Sequence, residues 1–272
     1  MKWFFALNED GAQFENYAKM VRVAVHTAAS HTKLQPYFLY DGAENELTAW
    51  LRARDVPIIK WRTVLYDILA KCAAEKGDPN ILAIGAGAFL RTEIPRIMLE
   101  MDFLDPYVLY TDVDVMFRGD VSALDEMRPA YFAVAPEVKI RNYKRMNSGV
   151  MLMNIKALGG DGVEFEQFTR ANIDILIADA WDQTAYKMFY ARRFFGYKWD
   201  RLAPEYNWKP YWPLNGDARI VHFHGPKPYQ RQDLTSGDTP AHLKPLLPLV
   251  TDNYLRLSDE WLAIYAEIED EL

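Results

Sequence analysis

Short apolar runs alternate along this 272-residue chain with segments whose apolar residues recur at helical spacing. That alternation limits the fold more than any other feature. Residues 2–7 (KWFFAL) read as a strand, and 14–29 as a helix with Phe14, Tyr17, Val21, Val25 and Ala28 on one stripe. A strand over 35–40 closes on Asp-Gly, a helix covers 44–54, a short strand 56–59 and a helix 63–74. Gly-Asp-Pro-Asn at 77–80 breaks the chain, and a helix carrying Arg91 and Pro95 is expected over 86–101. Further strands are expected at 107–110, 130–138, 148–155 and 220–223, and helices at 165–178 and 181–190. Strands taken in turn with helices predict an α/β fold in layers, with a mostly parallel sheet.

Residues 241–272 read as a helical, acidic extension to a body of residues 1–240, with Trp261, Ile264, Tyr265 and Ile268 on one stripe. A helix lying on a membrane surface is basic. This one is therefore expected to pack on the body or to join a second copy of the chain in a homo-oligomer.

One apolar run ends unusually. "LYTDVDVMF", residues 109–117, puts Asp112 and Asp114 two positions apart just past a strand. Side chains at i and i+2 of an extended segment share a face, roughly 6.5 Å apart along the chain. Such a pair can grip one hard cation, or it can be two solvated turn acids. Residues 109–117 leave both readings open. In open α/β sheets ligands sit beyond the carboxyl ends of the strands, where Asp112, Asp114 and Asn8 all fall, and that favours a site.

Three further clusters carry polar groups at strand or helix ends. "VHFHGPKPY" (221–229) brings His222 and His224 two apart, with Gly225 and Lys227 following. A neutral imidazole is a ligand for cations such as Mn²⁺, glycine lets backbone approach a ligand, and lysine offers a point charge to phosphate. Such residues in a proline-rich loop are also commonly just solvated. "NSGVMLMN" (147–154) sets Asn147, Ser148 and Gly149 at the mouth of an apolar strand, which an ordinary turn would also explain. "WDQTAYKMFY" (181–190) offers Asp182 and Gln183 to a polar substrate, or simply starts a helix. Arg91 is either a surface cation or a partner for a diphosphate.

The net charge of −7 and pI ≈ 5.3 argue against nucleic acid and against an anionic membrane surface as partners. A single cysteine, Cys72, excludes an intrachain disulfide framework and fits a reducing compartment. No apolar run reaches the roughly 18 residues that span a bilayer. "MKWFFALNED" turns polar after Leu7, too soon for a signal sequence. A cytoplasmic location is expected.

Taken in order, these clusters resemble glycosyltransferase family 8, the group of glycogenin and the bacterial lipooligosaccharide galactosyltransferases. The shared pattern is a strand ending in D-x-D, an N-S-G strand, a D-Q pair and a late H-F-x-G-x-x-K-P loop. Here these are Asp112-Val113-Asp114, Asn147-Ser148-Gly149, Asp182-Gln183, and His222-Phe223-His224-Gly225 through Lys227-Pro228. The resemblance covers residues 2 to about 229. The late loop is one residue shorter between Gly225 and Lys227 than the family pattern, and the first strand lacks the family's run of Thr or Asp around the nucleotide.

The resemblance implies a GT-A fold, a single Rossmann-like domain binding a nucleotide-sugar, UDP-linked as a rule, with Mn²⁺ or Mg²⁺. Asp112, Asp114 and His222 would be the metal ligands. Leu7, Asn8 and Tyr17 would border the base pocket, and Arg91, Val113, Gly225 and Lys227 would complete the donor-diphosphate site. Asn147, Ser148, Asp182 and Gln183 would meet donor sugar or acceptor, a glycan, a glycolipid or another hydroxyl compound. Asp182 and Gln183 are the candidates for the reacting centre. Family members retain anomeric configuration, by a covalent carboxylate route or by front-face attack, and the sequence does not separate the two.

Two alternatives compete. Haloacid-dehalogenase-type phosphatases also place D-x-D after a hydrophobic strand, though normally the first strand of the chain. A non-catalytic nucleotide-sugar or glycan-binding relative would need the same residues, and Tyr206, Trp208, Tyr211 and Trp212, expected to be exposed, suit sugar stacking. In the enzyme reading this stretch borders the acceptor site, and it also reads as an ordinary packed aromatic loop.

Overall fold

The opening run folds as strand β1 (Lys2–Asn8), and its side chains divide between two cores. Trp3, Phe5 and Leu7 enter one layer, Phe4 and Ala6 the other. A strand covered on both faces is apolar without a break, which is why the sequence shows a run rather than an alternation. The computed structural model describes residues 1–272 apart from 12, 193–195, 214–215 and 271–272.

The strands that follow are β2 (Gln35–Asp41), β3 (Ile58–Lys60), β4 (Tyr107–Thr111), β5 (Val115–Phe117), β6 (Phe132–Pro136) and β7 (Met146–Asn154). Three two-residue strands come next, β8 (Ala191–Arg192), β9 (Gly196–Tyr197) and β10 (Asp200–Arg201), and the last is β11 (Ile220–His222). A seven-stranded sheet has the order β10-β6-β7-β4-β1-β2-β3. β7 runs antiparallel to β4 and β6; the other pairs are parallel. β5 and β11 form a separate antiparallel ribbon. The sheet is thus mixed but mostly parallel, within one α/β domain.

One layer of the core packs the sheet against helix Phe14–His31 and, outside it, helix Asp252–Asp270. The other packs it against helices Tyr66–Lys76, Asn80–Ala88, Ile94–Glu100 and Trp181–Phe189. Among the described residues no helix is long and apolar enough to cross a membrane.

The largest departures from the expected helices are in three segments. The segment expected over 86–101 starts at Asn80, right after Pro79, and is interrupted by a 3₁₀ turn over Phe89–Glu93. Pro95 lacks the N–H that an unbroken α-helix would donate to the Arg91 carbonyl, so the chain tightens there and restarts at Ile94. Gly85 and Gly87 sit inside the first part because they approach other elements. A Cβ on Gly87 would stand 2.5 Å from the Asn8 side chain. The helix expected over 165–178 is two, Gly162–Ala171 and Ile173–Ile177, parted at Asn172, whose amide donates to the Phe168 carbonyl (2.8 Å). In the extension, Pro245 and Pro248 hold 241–251 in turns and a 3₁₀ helix, and the α-helix begins at Asp252.

Trp261 in that last helix is 0% exposed and stacks on Tyr265 at 5.4 Å. We expect Trp261→Ala to cost about 3–5 kcal/mol, the range for emptying an aromatic core position. A urea midpoint equal to that of the wild type would show that the helix contributes nothing to the core.

Candidate functional site

The reversed direction of β7 places its first residues at the carboxyl end of β4. Thr111 pairs with Val150, and the Asp112 amide donates to the Gly149 carbonyl at 2.8 Å. The β6–β7 register slips between Val134 and Ala135, so Ser148–Val150 leave that ladder. Bulges of this kind re-aim side chains at the end of a sheet. Asp112 and Asp114 turn to one side while Val113 is buried in the core, and the chain then enters β5.

The ribbon brings in the imidazole. His222 pairs with Val115, and the Phe223 amide donates to the Asp114 carbonyl at 2.9 Å. His222 Nε2 therefore lies 3.2 Å from Asp114 Oδ1 and 3.7 Å from Asp112 Oδ2. One ligand atom from each of Asp112, Asp114 and His222 falls within 4.8 Å of the others. Gly149 leaves the room required, since a Cβ there would stand 2.1 Å from His222 Cε1.

The donor set fits a divalent cation. Asp114 is 6% exposed, and its buried Oδ1 has no hydrogen-bond donor aligned on it, although Nε2 is close. A buried carboxylate oxygen without a donor is costly unless a cation faces it. Two oxygen ligands and one imidazole suit Mn²⁺ or Mg²⁺ better than a softer ion. Burial alone would raise the Asp114 carboxyl, but the Lys227 ammonium above all holds it below the ordinary carboxylate range. Burial pushes the His222 ring below its ordinary value, which favours the neutral form that a metal would need.

Arg91 joins the motifs. Its Nη1 donates to the Ser148 carbonyl (2.6 Å), its Nη2 to Asp112 Oδ1 (2.8 Å), and its Nε lies 2.8 Å from Asp182 Oδ2. The guanidinium also covers the Tyr110 ring at 4.5 Å. Asp182, 4% exposed, follows Trp181, whose φ of 50° is the left-handed conformation that bulky residues rarely take. Burial pushes the Asp182 carboxyl up to about 6 against the opposing pull of Arg91. Gln183 Oε1 accepts from the Ser148 amide (2.9 Å) and Asn147 Nδ2 (3.1 Å), while its Nε2 donates to Glu137 Oε1 (2.8 Å).

A cleft of about 400 Å³ opens beside these groups at the carboxyl ends of β1 and β4. Leu7, Asn8, Tyr17, Arg91 and Asp112–Asp114 line it. The Asn8 amide donates to the Ala83 carbonyl (2.8 Å), which holds that side of the cleft to the helix Asn80–Ala88. Burial raises the Tyr17 hydroxyl, with Lys227 opposing. A second hollow of about 240 Å³, near Glu93, Arg96 and Glu166, contains none of the motif residues.

Gly225 does not line the cleft. Its φ of 91° turns the chain so that Lys227 returns, and Lys227 Nζ donates to Asp114 Oδ2 and to the Phe223 carbonyl (2.8 Å). The shortened loop therefore still delivers its ammonium to the acids. His224 lies apart from the Asp112–Asp114–His222 group, with Nδ1 3.0 Å from the Tyr211 hydroxyl and Nε2 3.9 Å from Glu137. Burial above all pushes its ring down to about 2, so it is neutral.

The aromatic loop corrects an expectation. Trp208 and Trp212 are buried in the core rather than exposed, because Trp208 bridges to Val221 beside β11; Tyr206 and Tyr211 are half-buried. Sequence reasoning also missed Asn207, Lys209 and Glu137. The first two flank Trp208 at i and i+2 of an extended segment, a spacing that sets both on one face without telling what that face meets.

No protein-family model and no curated protein sequence matches the chain. Solved structures do match in shape. The glycosyltransferase GlyE of Streptococcus pneumoniae TIGR4 aligns with a TM-score of 0.60 at 18% identity, over 99% of this chain and 64% of that one. This chain thus spans less than two thirds of the GlyE chain. The galactosyltransferase LgtC, solved with donor and acceptor sugar analogues, aligns with a TM-score of 0.63 at 18% identity, over 98% of this chain and 96% of that one. Mouse xyloside xylosyltransferase 1 gives 0.55 at 16%, over 82% and 97%. The fold is that of the GT-A glycosyltransferases.

Gly149→Ala tests the ligand geometry directly. We expect it to abolish Mn²⁺ binding in a calorimetric titration while costing only about 1–3 kcal/mol of stability, the range for overpacking. Unchanged Mn²⁺ binding would exclude His222 from the metal site.

Proposed function

We propose that this chain is a metal-dependent, retaining glycosyltransferase that moves a hexose from a UDP-linked donor to a hydroxyl acceptor on a glycan or glycolipid. The observation that carries the reading is the meeting of Asp112, Asp114 and His222 at ligand spacing, beside a cleft at the strand ends of a GT-A fold. The motif order shared with family 8 supports the same assignment, and with it Mn²⁺ and UDP. Glycan assembly at a bacterial surface is the setting that family suggests.

The difficult step is parting the anomeric carbon from the diphosphate, whose leaving oxygen gains negative charge. Asp112, Asp114 and His222 would hold a divalent cation, which would supply Lewis-acid stabilisation of that charge. Lys227, held against Asp114, adds a positive charge at the same point. Leu7, Asn8 and Tyr17 border the part of the cleft assigned to the base. Arg91 holds Asp112 and Asp182 in one frame, which aligns the metal side with the sugar side.

Asp182 and Gln183 are assigned to the reacting centre, with Asn147 and Ser148 beside them. Both Asp182 and Gln183 are tied to protein groups in this structure, through Arg91 and Ser148 for the acid and through Asn147, Ser148 and Glu137 for the amide. Such ties suit holding the sugar and acceptor hydroxyls, which favours front-face attack over a mobile carboxylate nucleophile. The phosphatase alternative gains no support, because D-x-D here follows the fourth strand and its carboxylates face an imidazole.

Thermal-shift or calorimetric screening of UDP-, GDP- and ADP-sugars, with and without Mn²⁺, tests the reading. We expect UDP-sugars to stabilise the protein only with Mn²⁺, by about 2.7 kcal/mol at a hundredfold excess over Kd, and to be slowly hydrolysed without acceptor. Absence of hydrolysis would point to the non-catalytic relative. Asp114→Ala should remove metal-dependent UDP binding with the fold intact, and transfer at near wild-type rate in that variant would sink the assignment. Asp182→Asn should still bind donor but turn over about 100-fold more slowly. An unaltered kcat would take Asp182 out of the reacting centre.

A further inference from the structure

Lys209 is the one lysine among the described residues with no exposed surface, and it lies on the far side of His222 from the carboxylates. Its Nζ donates to Asn147 Oδ1 (2.8 Å) and to Asn207 Oδ1, and stands 3.2 Å from His222 Nδ1. Asn207 Nδ2 donates to Asn147 Oδ1 at 3.0 Å, and Asn207 Oδ1 lies 2.9 Å from His222 Nδ1. The main chain fixes this cluster, since the Trp208 amide donates to the Ile220 carbonyl and the His222 amide to the Trp208 carbonyl, both at 2.8 Å.

Direction is the important property here. An amide can be turned either way, but the Lys209 amine, which burial pushes well below its ordinary value, keeps an N–H donor for each asparagine and has at most one lone pair, on the side of His222 Nδ1. Lys209 therefore requires that both asparagines present oxygen to it. With its oxygen so placed, Asn207 offers an acceptor to His222 Nδ1. With its own oxygen so placed, Asn147 must direct Nδ2 at Gln183 Oε1 (3.1 Å), which in turn points Gln183 Nε2 at Glu137 (2.8 Å). One buried donor thus sets the sense of a chain of amides running from the imidazole to the sugar side.

We propose that Lys209 is a positioning residue. It sets the polarity of the Asn207–Asn147–Gln183 chain, and through Asn207 it holds His222 in the Nδ1–H tautomer with the Nε2 lone pair turned to Asp112 and Asp114. Ligating histidines commonly have the other ring N–H anchored in this way, and loss of the anchor costs 10–100-fold in metal affinity. The inference rests on the reading of His222 as a metal ligand, but its first measurement needs neither metal nor sugar.

Long-range ¹H–¹⁵N spectra of the histidine-labelled, metal-free protein report the tautomer, and the His222 signal is assigned by its loss in His222→Gln. We expect the Nδ1–H form in the wild type. Lys209→Met should give the Nε2–H form or a mixture, with Mn²⁺ affinity reduced 10–100-fold in a direct titration. Asn207→Asp, which keeps an acceptor, should retain the wild-type tautomer, and Asn207→Leu should lose it. If Lys209→Met does not fold, the two Asn207 variants decide.

A wild-type Nε2–H ring, or a folded Lys209→Met protein with tautomer and Mn²⁺ affinity unchanged, overturns the proposal. An Nδ1–H ring in the wild type that shifts in Lys209→Met, in a protein that takes up no Mn²⁺, supports the positioning role and overturns the metal reading instead.

Discussion

Arg91 is the cation on which the site depends. Asp112 and Asp182 come from separate motifs of the chain, and both approach the interior because one guanidinium lies between them. Burial opposes its charge, yet the two carboxylates keep it ionised well above any physiological pH. Removing one member of such a buried pair generally costs about 3–5 kcal/mol, because the partner charge is left without compensation. The Nη1 bond to the Ser148 carbonyl adds β7 to the same anchor. Three separate motifs are thereby fixed to one side chain, and the 3₁₀ turn ahead of Pro95 presents it.

Topology then supplies what no local sequence can. If β7 ran parallel to its neighbours, Asn147–Gly149 would lie at the opposite end of the sheet from Asp112. Its reversal brings them together, and the slip opposite Val134 and Ala135 leaves Ser148–Val150 unpaired with β6. The β5–β11 ribbon serves the imidazole in the same manner, since pairing His222 with Val115 fixes its distance from Asp114. Gly149 is where the two devices meet. A strand interior normally disfavours glycine, but any side chain here would occupy the place of the His222 ring.

The sheet and the motif ends were legible because burial on both faces leaves long apolar runs and because buried acids at strand ends are rare. Asp112 and Asp114 stood out for that reason, whereas Asn147, Asp182 and His222 were picked out by the motif order of the family that the sequence resembles. Helix bounds were less legible: the helix expected from residue 86 begins at Asn80 and takes in Gly85 and Gly87, which close packing against other elements makes tenable there. The aromatic loop misled because Trp208 and Trp212 resemble sugar platforms by type alone, while their burial depends on a strand far along the chain. Lys209 was illegible for the converse reason. A lysine reads as surface, and only the convergence of Asn147, Asn207 and His222 around it makes an interior position tenable.

The last helix bears on the site as well as on the core. The Tyr254 hydroxyl donates to the Lys227 carbonyl at 2.8 Å, and the Asn253 amide donates to the carbonyls of Pro210 (3.0 Å) and Trp212 (2.9 Å). One turn of helix therefore grips both the loop that carries the ammonium and the loop that carries Lys209. Each bond is worth only about 1 kcal/mol net, but each closes off freedom in a loop whose side chain must lie within a few ångströms of an acid. Arg118 to Glu260 (2.7 Å) ties the same helix to the strand following the acids. The burial of Trp261 thus holds the helix, the helix holds the two loops, and the loops hold Lys227 at Asp114 and Lys209 at His222.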